Sequence, residues 1–499
     1  MMENIASGFE LFLSFKNFVA IFGGVVVGVL VGAIPGMGAA MAVAIGLPFT
    51  FQMDAVTGIL MLTGIYKGAF YGGSIAAILI KTPGTPAAAA TVLDGYPMAR
   101  QGRAREALDI ALYASCVADF MSNLALIFLA GLIATWALAF GPPEFFALIV
   151  FSMTIIAGVS GDSLFKGMAA AAAGFLAATV GQDLFYGTGR FDFGSTNMLG
   201  GLSLVPVLIG LFAVPEIIDR YARGHVGHLQ LEKIRVGAAA TFKQFRACLP
   251  SILRGGLIGV GLGAIPGIGG APAAFLSYSE ARRNSKTPEK FGNGAVEGVA
   301  AAESGNNGVC GATLIPLLSL GVPGDIVSAI LLGAFMIHGL QPGPLMFQQN
   351  IDTIYAIYCG LLLSSAFMFI SGKAAIRYFA KAAEIPDKLL LPVVIVLCIF
   401  GAFVINNSMF DVFIMLSAGV LGFIMLRTGI PAAPFLIAFV LGPLFEDNLR
   451  RSLLISRGEF DIFLRGPICW LFAGLTAVTI AGMMVKQYRG RAATKRPAS

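Results

Sequence analysis

The chain has 499 residues, of which 57% are hydrophobic and only 12% charged, with a mean hydropathy of +0.83 and a formal net charge of +6. That balance excludes a soluble protein, which needs far more polar side chain to face water. The basic excess lies mostly in loops and the tail, where it orients a protein in a bilayer, and says nothing about nucleic acid.

The N-terminal stretch MMENIASGFELFLSFKN lacks a basic start and a small-residue cleavage site, so the first hydrophobic segment is expected to be retained. From Asn17 to Met53 there are 37 residues without a formal charge. As one helix they would extend about 55 Å, against roughly 30 Å of hydrocarbon. The run must therefore break, and Pro35-Gly36 predicts either a re-entrant hairpin or two tight spans. Gly24, Gly28 and Gly32 form a GxxxG ladder that lets its arms approach neighbouring helices. Lys67, with Tyr66 and Tyr71, then falls inside an apolar run. The uncharged stretch from Thr82 to Leu93, after Lys81, is too short to span and reads as a half-helix starting at the Pro83-Gly84 break. Lys81 itself is equally suited to meeting a substrate carboxylate or to snorkelling. Asp119 and Asn123, one helical turn apart, suit either a cavity or a polar helix interface.

Uncharged runs of spanning length, roughly 20 residues, recur at Phe120–Pro143, Phe193–Pro215, Ser304–Gly324, Thr353–Gly372, Leu389–Phe410 and Gly466–Val485. His225 and His228 have HxxH spacing but lie in the polar stretch Asp219–Arg246, which reads as a solvated loop rather than a metal site. Cys116, Cys248, Cys310, Cys359, Cys398 and Cys469 stand singly, so neither a metal site nor a disulfide framework is indicated.

The second half repeats the first. Gly24–Gly38, GVVVGVLVGAIPGMG, matches Gly255–Gly269, GGLIGVGLGAIPGIG, at nine of fifteen positions. Lys81-Thr82-Pro83-Gly84-Thr85 corresponds to Gly321-Val322-Pro323-Gly324-Asp325. The polar segment Glu280–Lys290 accounts for the extra length between the two motifs of the second half. The GxGxxG beginning at Gly259 and Gly261 fails at Ala264 and has no Rossmann strand context. The segment Glu297–Gly311, EGVAAAESGNNGVCG, places Glu303, Ser304, Asn306 and Asn307 near hydrocarbon, where polar side chains are costly and a functional role is the default reading. Helix breaks expose N–H groups that suit an anion, and unwound carbonyls and hydroxyls that suit a cation such as sodium.

Loop charges indicate orientation. Arg100, Arg103 and Arg105 follow Pro83, whereas Gln341–Gln349 after Pro323 carries no Lys or Arg; the bias reverses at the other motif, where Arg282, Arg283, Lys286 and Lys290 follow Pro266 but Phe51–Tyr66 carries none. Equivalent loops thus face opposite sides, as inverted repeats require. Counting segments between loops agrees, except that Glu446–Arg465 falls outside despite Arg450, Arg451, Arg457 and Arg465. The expected fold is an all-α polytopic membrane protein of about 10–12 segments, re-entrant or broken helices included, in two inverted-topology repeats. Residues 1–218 form the first repeat, 219–249 a cytoplasmic interhalf loop, 250–465 the second repeat, 466–485 an added terminal helix and 486–499 a basic cytoplasmic tail.

The doubled AIPGxG segments, KTPGTPAAAATVLDGYPMARQGRA (Lys81–Ala104) and EGVAAAESGNNGVCGATLIPLLSLGVPGD (Glu297–Asp325) together resemble the large permease subunit of the tripartite tricarboxylate transporters, the TctA family. The resemblance covers essentially the whole chain. It implies a secondary carrier in the bacterial inner membrane with about a dozen membrane segments, a small four-helix membrane subunit and a periplasmic solute-binding protein as partners, no cofactor, and citrate-like or related carboxylates as substrate. Its motif residues here are Pro35, Gly36, Gly38, Lys81, Pro83, Gly84, Thr85, Ser304, Asn306, Asn307, Pro323, Gly324 and Asp325; all of them but Asp325, with the repeat partners Pro266, Gly267 and Gly269, are the expected substrate site. Gly36, Thr85, Asn306 and Asp325 are the expected sodium ligands, because replacing Thr85 by Asp325 across the repeats favours a cation in the second half. No catalytic residues and no metal beyond sodium are expected. A membrane-embedded lipid-modifying transferase and a stand-alone organic-anion carrier or exporter are the competing readings; only three histidines and no DxxxD or HxxxxD cluster stand against the transferase.

Overall fold

The computed structural model describes residues 2–159, 163–183, 185–222, 238–382 and 387–494, and they are overwhelmingly helical. His225, His228 and about half of the interhalf loop, as well as Lys495 and Arg496 of the tail, lie outside the described residues. Eight helices among the described residues are long and apolar enough to cross a bilayer. The protein is an all-α polytopic membrane protein.

In chain order the first half opens with α1 (Met2–Phe12) and α2 (Phe15–Gly32), then breaks before α3 (Ala39–Gly46). The central helix α4 (Ala55–Ile80) follows, capped by Asp54, whose side chain accepts the Thr57 N–H. A second break leads through a 3₁₀ turn, Pro86–Ala88, into α5 (Ala89–Arg100). Next come α6 (Ala104–Ala137), α7 (Pro142–Val159), α8 (Leu164–Ala178), a short antiparallel pair β1 (Gly181–Gln182) and β2 (Gly189–Arg190), and α9 (Leu204–Ala222). The second half runs through α10 (Phe242–Gly263), α11 (Gly270–Asn284), α12 (Val296–Ala312), α13 (Leu314–Leu320), α14 (Ile326–Ile337), α15 (Met346–Gln349) and α16 (Ile351–Ala382). It ends with α17 (Asp387–Asn406), α18 (Met409–Thr428), α19 (Ala432–Ile455) and α20 (Pro467–Thr494).

The described chain forms two compact units, one of residues 1–134 with 205–423 and the other of 135–204 with 424–499. Within the first, α4 and α12 are hidden: from Val56 to Ile78 only Met61 is not fully buried, and α12 is buried from Gly298 onward. Helices apolar on every side belong inside a protein core. Each is gripped by a glycine-lined partner. A Cβ on Gly24, Gly28 or Gly32 would lie 2.2, 2.2 and 2.4 Å from the carbonyl oxygens of Met61, Ile65 and Ala69. In return, Cβ atoms on Gly64, Gly68 and Gly72 of α4 would lie 2.8, 2.3 and 2.5 Å from carbonyls of α2. The α10–α12 pair is built alike, with a Cβ on Gly259 falling 2.7 Å from the Gly305 carbonyl oxygen and one on Gly308 2.8 Å from that of Gly256. Small residues thus allow backbone to meet backbone, as in membrane helix pairs.

The breaks share local geometry. After α2 and after α10 the chain makes the same turn, with Gly36 at φ +75° and Gly267 at φ +87°. At the other motif, Lys81 (φ 60°, ψ 15°) and Gly321 (φ 72°, ψ 17°) both close their helices in the left-handed region. The half-helix after the first motif differs from its expected limits. It begins at Pro86, not at Pro83, and continues past Leu93 to Arg100. Asp94, which looks like a water-facing end, is instead buried and accepts backbone N–H groups of Gly292, Gly294 and Ala295 at 2.8–2.9 Å.

In the second unit α8 packs on α7 and α19, and α7 on α20. The β1–β2 turn is tied to the end of α19: Arg450 contacts Asp183 at 2.8 Å and Glu446 at 2.6 Å, and Arg190 meets Glu446 at 2.7 Å.

Candidate functional site

Packing crosses the halves. The post-break helix α11 of the second half lies on the 3₁₀ turn and α5 of the first, while α3 of the first half lies on α14 of the second. At the first of these crossings a Cβ on Gly270 would fall 3.0 Å from the Phe70 ring, 3.1 Å from Ala87 Cβ and 3.2 Å from Asn306 Oδ1. Four elements therefore converge on Asn306. Its amide is buried, and neither the oxygen nor the nitrogen has a hydrogen-bond partner. An unsatisfied buried amide costs about 1–3 kcal/mol per lost interaction, so a site of this kind calls for a ligand.

One turn before Phe70 on α4, Tyr66 stacks edge-on against it with ring centroids 4.9 Å apart. The Tyr66 hydroxyl donates to Asp325 Oδ2 at 3.2 Å and lies 3.2 Å from Thr313 Oγ1. Asp325 is also the cap of α14: its Oδ1 accepts the Ser328 N–H at 2.7 Å while Ser328 Oγ accepts the Asp325 N–H at 2.7 Å. Thr85 caps its helix in the same way, accepting the Ala88 N–H. The starts of α3 and α11 contrast with these. They follow Gly38 and Gly269, which have no side chain to cap them. Their first-turn N–H groups keep the partial positive charge that binds anions.

The structure thus groups Asn306, Gly269 and Asp325 with Phe70, Tyr66 and Thr313, whereas Thr85 packs against Gly73. A Cβ on Gly269 would stand 3.6 Å from Asp325 Cβ, and the Gly267 N–H donates to the Gly324 carbonyl at 2.7 Å, joining the two breaks of the second half around Pro266 and Pro323. In the first half the Gly84 N–H, next to Pro83, donates to the Gly73 carbonyl at 3.1 Å, and a Cβ on Gly84 would lie 2.0 Å from the Gly32 carbonyl oxygen. Other expected residues turn elsewhere. Ser304 donates to the Ala301 carbonyl and packs against Gly255. Asn307 donates to Ser115 Oγ at 2.8 Å, on the α6 side. Gly36, after the half-buried Pro35, sits beside Glu216 and Arg220 of α9. Lys81 is exposed, its ammonium 5.7 Å from the Tyr96 ring centroid.

Two polar clusters lie deeper. Lys67 Nζ contacts Asp119 at 3.0 Å, Asn123 at 2.9 Å and the Leu361 carbonyl at 2.9 Å, all buried, so these residues join α4, α6 and α16 rather than line an open cavity. Glu303 accepts hydroxyl donors from Ser74 at 2.5 Å, from Ser115 at 3.1 Å and from Thr91. Sequence reasoning flagged Glu303 but not its partners, which come from three separate helices. Tyr66 and Phe70 carry an i, i+4 signal on one face of α4.

Broken helices that meet around buried polar residues, inside a polytopic helical membrane protein, are an arrangement that secondary transporters use. The chain belongs to the tripartite tricarboxylate transporter TctA family, whose profile matches residues 18–437. It is 39% identical over 483 residues, 96% of either chain, to an uncharacterized 52.8 kDa protein in the TAR-I ttuC′ 3′ region of Agrobacterium vitis. It is 37% identical over 230 residues, 46% of this chain and 95% of the relative, to an uncharacterized protein in the TAR-II ttuC′ 3′ region of the same organism. No solved structure matches.

Proposed function

We propose that this chain is the large permease subunit of a binding-protein-dependent secondary transporter that imports a tricarboxylate or related carboxylate, with sodium as the coupling ion. The observation that carries the reading is Asn306, whose buried amide has both atoms unpartnered beside the uncapped start of α11. An amide and free helix N–H groups supply donors to a carboxylate. Asp325, Tyr66 and Thr313, just beyond, supply the hard oxygen atoms that a sodium ion prefers. A small four-helix subunit and a periplasmic solute-binding protein complete the system in the bacterial inner membrane.

Residues 1–218 and 250–465 act in this reading as inverted repeats, with the chain ending in the cytoplasm. The matched turns at Gly36 and Gly267 and the crossed packing of α3 and α11 support it. The basic stretch Glu446–Arg465 is compatible with an outside position because three of its arginines are paired with acids: Arg450 with Asp183 and Glu446, Arg451 with Asp447, and Arg465 with Asp461. Elevator-like motion of the paired core delivers alternating access. The test is carboxylate uptake into proteoliposomes holding this chain and its small partner under an imposed sodium gradient. Uptake should require the added binding protein, and equal uptake without it would sink the tripartite reading.

A further inference from the structure

Glu303 is a carboxyl in the buried core with no compensating charge. Among the described residues no Lys, Arg or His lies within ion-pair reach of it, and Lys67 is already held by Asp119. Its partners are neutral hydroxyls, two on Oε1 (Ser74 and Thr91) and one on Oε2 (Ser115), with the Asn307 amide nitrogen 3.5 Å from Oε2. An unpaired carboxylate in such surroundings is costly, and taking up a proton removes that cost. The cluster also has an acceptor without a donor, because Asn307 Oδ1 is buried and unpartnered.

The flanking helices α4 and α6 bring it no ion pair, Lys67 being held by Asp119. From α4, Tyr71 presents a buried hydroxyl with no hydrogen-bond partner. Tyr113 receives a hydrogen bond from Lys373 at 2.6 Å, Lys373 also pairs with Asp109, and the lysine side chain is 35% exposed. Tyr113 and Cys116 further line a cavity of about 380 Å³ beside Phe242 and Phe245 at the start of α10. The other elements against α12 add no counter-charge. The α10 face is glycine, and Asp94 of α5 and Tyr278 of α11 meet at Gly298, more than a turn back along α12.

We propose that Glu303 is a proton-binding site, its carboxyl held in the core by the hydroxyls of Ser74, Thr91 and Ser115. In the loading step the Glu303 carboxylate takes a proton from hydronium, forming the carboxylic O–H and releasing water, with no other bond made or broken. Unloading is the reverse. The consequence for transport rests on the carrier reading above; the proton site does not.

The test uses the full chain with its small partner in lipid. Infrared spectra at neutral pH should show a protonated-carboxyl C=O band that Glu303→Gln removes and that shifts on transfer to D₂O. A spectrum unchanged by Glu303→Gln, or a band that never exchanges, overturns the proposal. Should Glu303→Gln fail to insert, Glu303→Asp must displace the same band, and no displacement overturns it equally. In proteoliposomes Glu303→Gln should keep carboxylate counterflow but lose the pH dependence of sodium-driven uptake; a pH dependence unchanged by Glu303→Gln overturns the proton's role in transport. Absence of counterflow in the unmodified protein would instead count against the carrier reading, leaving the infrared result to decide on the proton site.

Discussion

Substituting Gly28 by Ala tests the seam that holds the central helix. A Cβ there would lie 2.2 Å from the Ile65 carbonyl oxygen and 2.9 Å from the Ala69 nitrogen, against an optimum near ~3.5–4.0 Å for non-bonded heavy atoms. Both neighbours are backbone, so no side chain can rotate away, and α2 and α4 must separate by on the order of 1 Å, which forfeits up to about half of each dispersion contact along the seam. Overpacking of this kind costs about 1–3 kcal/mol and occasionally more, while Ala in place of helical Gly returns at most about 1 kcal/mol. Five further glycine contacts share the seam, so the upper part of that range is expected. Gly23, one position from the ladder, has nothing within 4 Å of an added methyl, and Gly23→Ala should be neutral or stabilising by up to about 1 kcal/mol. The pair Gly259→Ala and Gly261→Ala should repeat the contrast in the second half, because Gly259 faces Gly305 and Gly308 whereas Gly261 faces open space. Unfolding in mixed micelles measures all four. Gly28→Ala and Gly23→Ala agreeing within about 0.5 kcal/mol would refute the backbone-contact argument.

Asn306→Ala should lower apparent carboxylate affinity roughly 10- to 150-fold, the loss of a hydrogen bond to a charged group, with normal insertion; an unchanged uptake KM removes Asn306 from the site. Lys67→Met strands a buried Asp119 and should cost about 3–5 kcal/mol, most of it recovered in the Lys67→Met/Asp119→Leu double variant; a double variant no more stable than the single refutes the pairing account. Lys81→Gly should stabilise by about 1–2 kcal/mol, the left-handed backbone penalty it removes, as read from thermal unfolding. The hydrogen bond from Arg450 holds Asp183 at about 2, below its ordinary value near ~3.9. A depressed carboxyl stabilises above its unfolded value and loses that contribution as pH falls toward the folded one. Protection of the Phe185 and Tyr186 amides, which donate to Asp183, should therefore persist down to about pH 4 and disappear between there and about 2. Loss already near neutral pH would show that another contact holds the turn.

Much of this architecture was readable because lipid punishes irregular backbone, so a Pro-Gly inside an apolar run announces a break. The ladder on α2 was readable too, but its answering ladder at Gly64, Gly68 and Gly72 was not, since a spacing names no partner. Asp94 misled the reading of α5 because a charge in sequence looks like a water boundary, whereas three N–H groups some 200 residues away solvate it in the core. Ser304, Asn306 and Asn307 read as one polar word. On a helix consecutive residues point about 100° apart, so Ser304 meets α10, Asn306 meets the start of α11 and Asn307 meets α6. Lys67 was ambiguous for the same reason as the ladder: its partners lie 52, 56 and 294 residues away.

The unequal motif Thr85 against Asp325 acquires a second meaning from the caps. Both residues close the start of a helix, so either would be retained for capping alone, an effect of about 1 kcal/mol. What distinguishes Asp325 is the use of its other oxygen, which takes the Tyr66 hydroxyl from the opposite half. A cation entering here would have to compete with that hydroxyl, and Tyr66 would then turn from donor to ligand. Phe70, stacked edge-on against Tyr66, stands at the Asn306 crossing. Movement of the tyrosine thus reaches the place where a carboxylate would sit. On the proposed carrier reading that shared ring pair would couple the two ligand positions without requiring them to touch, and Tyr66→Phe should then separate them: carboxylate binding should survive while its dependence on sodium weakens.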